Sequence, residues 1–269
     1  METYRLKNIV ILILLLLNLF LLGLTVHLRL QQRHTAQTLA QQLTRLYENS
    51  GISLPEDLDV GAAALTPMTA SRSLDDEAAL AAYLLGRQVD GEDQGGGIYT
   101  YTGDGGAVQF RSSGAFDYAP ALPAALGDPE TFWEGFLETF GYRSLSSSFS
   151  GGSGTFLGVR QVDGSDVYNC TVSFHFSKGQ LISASGTWLS TAGTTALSQP
   201  AFTAADALDR FLSYRSQSGA VCNAVLSVQR VYALQTPSPS TLQLTPQWQV
   251  ETDTYCYYVD CITGEVLRA

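Results

Sequence analysis

The sequence predicts an α+β fold behind a single N-terminal membrane helix, and three observations carry that expectation. Capped amphipathic segments recur three times along the chain, and each is followed by alternating apolar and polar runs broken by turn residues. One long apolar stretch sits near the N-terminus. With 269 residues and 45% hydrophobic content, two small domains or one large one are expected.

The apolar stretch is Ile9 to Val26. Its only polar members are Asn18 and Thr25, and none of its residues is charged. At about 1.5 Å rise per residue it nearly spans a hydrocarbon core, with Asn8 or His27 completing the length. A secretory signal peptide is the rival reading, but it calls for a shorter apolar region and a small-residue cleavage site. Val26-His27-Leu28-Arg29 follows instead, with no nearby Cys for a lipid anchor, so an uncleaved signal-anchor is expected. Arg5 and Lys7 precede the helix and Arg29 and Arg33 follow it, so flanking charge does not set the orientation. From Leu28 to Tyr47 neither Gly nor Pro occurs, and Leu39, Leu43 and Leu46 fall at i, i+4 and i+7. The helix is therefore expected to continue outward as an amphipathic stalk ending at Gly51.

Three helix-plus-strand units follow. The first helix begins near Ser73, with Asp76 three residues on and acidic residues suiting its N-terminal end. The Gly91–Gly97 segment reads as a loop, followed by a hairpin of Ile98–Tyr101 and Ala107–Arg111 around Gly103-Asp104-Gly105-Gly106. The second helix has Asp128 as N-cap and Pro129 at its first position, with a stripe of Phe132, Trp133, Phe136, Leu137 and Phe140 closing at Gly141. Strands are predicted at Thr155–Val162, Val167–Phe176 and Gln180–Trp188. The third helix starts at Thr203 with Asp206 completing a capping box. Its strands are Ala224–Leu234, Leu242–Thr252 and Tyr255–Asp260, with Pro237 and Pro239 in the first intervening loop. The expected organisation is a tail over 1–8, the membrane helix over 9–27, the stalk over 28–50, and units over 51–120, 121–195 and 196–269.

Composition narrows the function classes. Of 15 Lys and Arg, five precede Glu48 against Glu2 alone, leaving 10 basic and 24 acidic groups beyond, about −14. Such a surface repels phosphate backbones and argues against nucleic acid. No HExxH, EF-hand loop, GxSxG elbow or paired Cys/His spacing occurs, so no metal, cofactor or small-molecule substrate is expected. Asp163-Gly164-Ser165-Asp166 reads as a hairpin turn rather than a calcium site. Carboxylate pairs such as Asp75-Asp76 read as helix capping. Cys170, Cys222, Cys256 and Cys261 leave two readings open, buried free thiols or a disulfide. Trp248, Tyr255, Tyr257 and Tyr258 are read mainly as core. Asn18, with Leu15 and Leu22 on the same helical face, is the candidate partner-binding group, because a carboxamide in hydrocarbon needs a hydrogen-bond partner. Simple tolerance of one Asn in a long apolar helix is the other reading.

Two stretches carry a family resemblance. Arg5-Leu6-Lys7-Asn8 leads into an Ile/Leu helix containing Asn18-Leu19-Phe20-Leu21-Leu22. The chain closes with Gln247-Trp248-Gln249-Val250, Tyr257-Tyr258-Val259-Asp260 and Thr263-Gly264-Glu265-Val266-Leu267. That ending resembles the close of a PepSY domain, a small helix-plus-sheet module. The whole layout resembles the YycH/YycI family, YycI-like proteins above all, membrane-anchored regulators of a cell-wall sensor kinase. The Gly-, Ser- and Ala-rich middle and the cysteines depart from that pattern. The resemblance implies a cytoplasmic N-terminus, an extracytoplasmic non-enzymatic ectodomain, and a membrane sensor kinase as partner, with a paralogous YycH-like protein as a further one. The alternative function is a PepSY-like module that binds or inhibits an envelope protease or peptide.

Overall fold

The computed structural model describes residues 17, 18, 20–22, 38–122, 127–190, 194–199, 201–238 and 241–269. Most of the expected membrane helix and residues 28–37 of the stalk lie outside these. Among the described residues no helix is long and apolar enough to cross a membrane. Residues 38–49 form α1, and from residue 50 on the described residues are mixed α+β, with three further helices and a large, mostly antiparallel sheet.

Local chemistry sets each helix. In α2 (Leu74–Leu85) the Ser73 hydroxyl accepts the Asp76 N–H, and Gly86 closes the helix in the left-handed region. α3 (Pro129–Phe140) is capped by Asp128, and the Gly141 N–H bonds the Leu137 carbonyl. α4 (Ala204–Ser218) carries the complete reciprocal box between Thr203 and Asp206.

The first helix is preceded by β1 (Met68–Ser71) and followed by β2 (Gly91–Gly95), β3 (Ile98–Gly103), β4 (Gly106–Phe110) and β5 (Ala115–Pro120). After α3 come β6 (Tyr142–Ser147), β7 (Gly154–Val162), β8 (Ser165–Ser177), β9 (Gln180–Thr187) and the short β10 (Thr195–Ala196). After α4 come β11 (Val225–Ser238), β12 (Thr241–Thr252), β13 (Cys256–Asp260) and β14 (Val266–Arg268). The main strand order is β10-β1-β12-β11-β8-β9-β5-β4-β3-β2. The pair β13–β14 extends from β12, and β6–β7 extends from β8.

Several strands depart from expectation. The Gly91–Gly97 stretch is not a loop: β2 pairs with β3 through Gly96 and Gly97, both at positive φ as a two-residue hairpin requires. Pro237 lies inside β11, where a register shift between Gln235 and Ser238 absorbs its missing N–H. β1, β5, β6, β10 and β14 were not expected, because none exceeds six residues and a run that short gives little periodicity to read.

Aromatic burial holds the larger half of the sheet. Trp133, Phe136 and Phe140 of α3 and Leu80 and Leu84 of α2 pack on Phe110, Phe116, Phe156, Phe174 and Phe176. Phe136 sits 4.7 Å from the Phe174 ring centroid and is wholly buried. Each such side chain contributes roughly 1.5–3 kcal/mol. Gly186, next to last in β9, lies opposite both Val172 and Phe116, and a Cβ there would overlap the Thr171 carbonyl. A second core gathers α4 residues Leu208 and Phe211 with Trp248, Val250, Tyr257 and Val259.

Only one register pair, Tyr232 with Val167, joins β11 to β8, and it is parallel. Asn169 reinforces it. Its carboxamide accepts the Leu234 N–H at 2.7 Å and donates to the Leu234 carbonyl at 2.8 Å, imitating a strand backbone.

Candidate interaction surfaces

The junction between α1 and α4 is built from the last turns of the stalk. Ala40, Leu43 and Tyr47 face the second core, and Tyr47 is completely buried. Its hydroxyl donates to the Leu208 carbonyl at 2.8 Å, and burial pushes its pKa far up, so it stays a donor. The helix turns at Gly51, after which Ile52 enters the core and Ser53 forms a parallel bridge with Ala224. Arg215 of α4 clamps the turn by donating to the Ser50 and Cys222 carbonyls, each at 3.3 Å. The expected Leu39–Leu43–Leu46 stripe is therefore rotated: Leu39 and Leu46 are 37% and 43% exposed, and Ala40 and Tyr47 take the inward positions. The missed signal was Tyr47, four residues after Leu43, whose ring fills a site that leucine would leave empty.

Of the candidate partner-binding residues, Leu15 lies outside the described set. Asn18 and Leu22 are helical and exposed, as are Leu17, Phe20 and Leu21. The C-terminal aromatics divide by strand face. Trp248 and Tyr257 are core, and the Trp248 indole donates to the Phe202 carbonyl at 2.9 Å. Tyr258 stacks on Tyr168 with centroids 3.8 Å apart. Tyr255 is half exposed beneath the Arg268 guanidinium.

The reactive groups have structural surroundings. All four cysteines are free thiols. Burial pushes Cys170 and Cys261 up to about 12, which leaves them protonated and poor nucleophiles at neutral pH. His27 and His34 lie outside the described residues, whereas His175 is exposed and bonded to Thr155 and Ser173. Asp163 and Gly164 form the β7–β8 turn with both φ positive, and Asp166 pairs with Arg143. Glu77 is buried against Arg72 at 2.6 Å; burial pushes its carboxyl up and the guanidinium pulls it back. No grouping of three metal-ligating side chains occurs among the described residues.

Neither a protein-family model nor a curated protein sequence matches the chain. Solved structures give loose matches. The Bacillus megaterium YpeB C-terminal domain is 14% identical with a TM-score of 0.38, over 74% of this chain and 98% of that one. An uncharacterized protein from Eubacterium rectale is 10% identical with a TM-score of 0.42, over 81% and 85%. YycH from Bacillus subtilis is 12% identical with a TM-score of 0.38, over 76% of this chain but only 52% of YycH. Function does not follow from similarity at this level.

Proposed function

We propose that this chain is a membrane-tethered, extracytoplasmic regulator that works by protein contact and whose target is a sensor histidine kinase. The Ile9–Val26 stretch is its tether, and Leu15, Asn18 and Leu22 form the face that meets the kinase's own membrane helix. The observation that carries the reading is the seating of α1 in the C-terminal core through Tyr47, Ile52 and Arg215. A tether whose outer segment is a helix locked into a folded body would transmit displacement, whereas a loose linker would dissipate it. Regulation is then a population shift: the chain binds one kinase state better and biases the equilibrium toward it. The N-terminal and C-terminal sequence resemblances supply the kinase as the target.

The test is photo-crosslinking from position 22 of the full chain in native membranes, with mass-spectrometric identification of the captured protein. Capture of a histidine kinase is expected. Asn18→Leu should weaken it several-fold, since an interhelical Asn bond contributes about 0.5–2 kcal/mol. Mature protein found in the medium and trimmed past Val26 would overturn the tether. Reproducible capture without a kinase would overturn the target.

A further inference from the structure

β11 lies inside the sheet, yet only part of its outer edge is paired. Leu234 turns its N–H and C=O to Asn169 on that edge. Backbone groups alternate sides along a strand, so Tyr232, Arg230 and Val228 turn theirs the same way. Tyr232 meets Val167 of β8. Beyond it the neighbouring chain turns away at Asp163-Gly164, and among the described residues no backbone bond reaches the outward groups of Val228 and Arg230.

These open groups line a cleft of about 820 Å³. The loop carrying Asp57 and Asp59 forms one wall, the β7–β8 turn forms the other, and Trp248 lies at the back. A smaller recess of about 460 Å³ continues the cleft past Arg230 toward Arg143 and Asp166. Native proteins protect bare strand edges with lysine, proline, bulges or a covering segment. Over residues 226–230 neither lysine nor proline occurs, and the register shift between Val225 and Ser227 ends the open stretch rather than blocking it. The edge opens into this cleft, which has room for a single extended strand.

We propose that the open edge of β11 receives an extended peptide segment of a partner protein by strand addition. Charge complementarity defines the segment. Exposed Asp57 and Asp59 on the lining loop call for a basic side chain. Exposed Arg230 on the strand itself calls for an acidic one. Asp166 already neutralises Arg143 nearby, so among the described residues that line the cleft Arg230 is the cation open to the incoming strand. The inference rests on the reading of the chain as a contact protein, not on the kinase as its target.

The test titrates the full chain, in mild detergent, with fluorescein-labelled heptapeptides of alternating Thr and Val bearing Lys near one end and Glu near the other, in both orders. One order should bind. N-methylation of every second peptide amide should abolish binding in one phase and leave it intact in the other, because only alternate amides of a strand face the edge. Arg230→Pro removes an outward N–H and should weaken binding about tenfold relative to Arg230→Ala. If Arg230→Pro fails to fold, the N-methyl series decides alone. Failure of both orders at about 1 mM, or equal effects of the two methylation phases, overturns the proposal. Peptide titration involves neither membrane nor kinase, so it fails independently of the crosslinking test.

Discussion

The carboxylate of Asp253 accepts the Asn223 and Ala224 backbone N–H groups and the Asn223 side-chain amide, tying the β12–β13 turn to the start of β11. The Asn223 backbone bond is the main cause that holds its pKa below the usual carboxylate range, and the Thr131 backbone N–H does the same for Asp128. Their stabilising contribution is complete above the unfolded carboxylate value of about 3.9 and is lost as pH falls through the lower folded value. Glu77 has the opposite sign, since burial raises its pKa and its share favours the fold as pH falls. The expected outcome is a urea midpoint that is flat from neutral pH to about 5 and drops below about 4. The drop should be smaller in Asp253→Asn, and equal drops in the two proteins would exclude Asp253 as a cause. The Asp128 cap was legible from residue type and spacing. Asp253 was not, because its partners lie 30 residues away.

Helices were the most legible elements. Ser73, Asp128 and Thr203 marked their starts, and Gly86, Gly141 and Gly219 end them in left-handed conformation. α1 shows where periodicity falls short: the leucine pattern is helical over residues 38–49 and Leu43 is buried as read, but the inward face is turned toward Ala40 and Tyr47, since partner shape as well as spacing decides which side is buried. The Tyr47 hydroxyl gives this element a sharp test. Tyr47→Phe removes a second donor from the Leu208 carbonyl, which keeps its helical partner within α4, and should cost about 0.5–1.5 kcal/mol. Hydrogen exchange read residue by residue should then speed up in α1 and α4 before it does in α2 and α3. A uniform change across all helices would show that the stalk is not a distinct contact.

For the whole molecule, the weak place is the seam between β8 and β11. Its backbone pairing is one parallel register pair plus the Asn169 carboxamide, with Val167 and Cys170 packed beside Tyr232 and Leu234 in a third apolar cluster, while the strands on either side are long antiparallel ladders. Asn169→Ala removes two hydrogen bonds at once, leaving both Leu234 backbone groups unpaired. Calorimetry of the variant should resolve two unfolding transitions, one for the aromatic core around Phe136 and one for the core around Leu208. A single transition in the variant would mean that β1, reaching from the start of α2 to pair with β12, is enough to unite the halves.

The sequence alone determined the local features: where helices begin and end, which strands alternate, where two-residue turns fall, and that acidic charge dominates beyond the stalk. These follow from backbone sterics, capping bonds and side-chain period, all of which act over a few residues. Only the tertiary structure decided that a glycine-rich loop is an edge strand, that Tyr47 rather than Leu46 enters the core, and that one edge of β11 stands open. Each of those depends on which distant segment arrives alongside, and that choice is made by the packing of the whole chain.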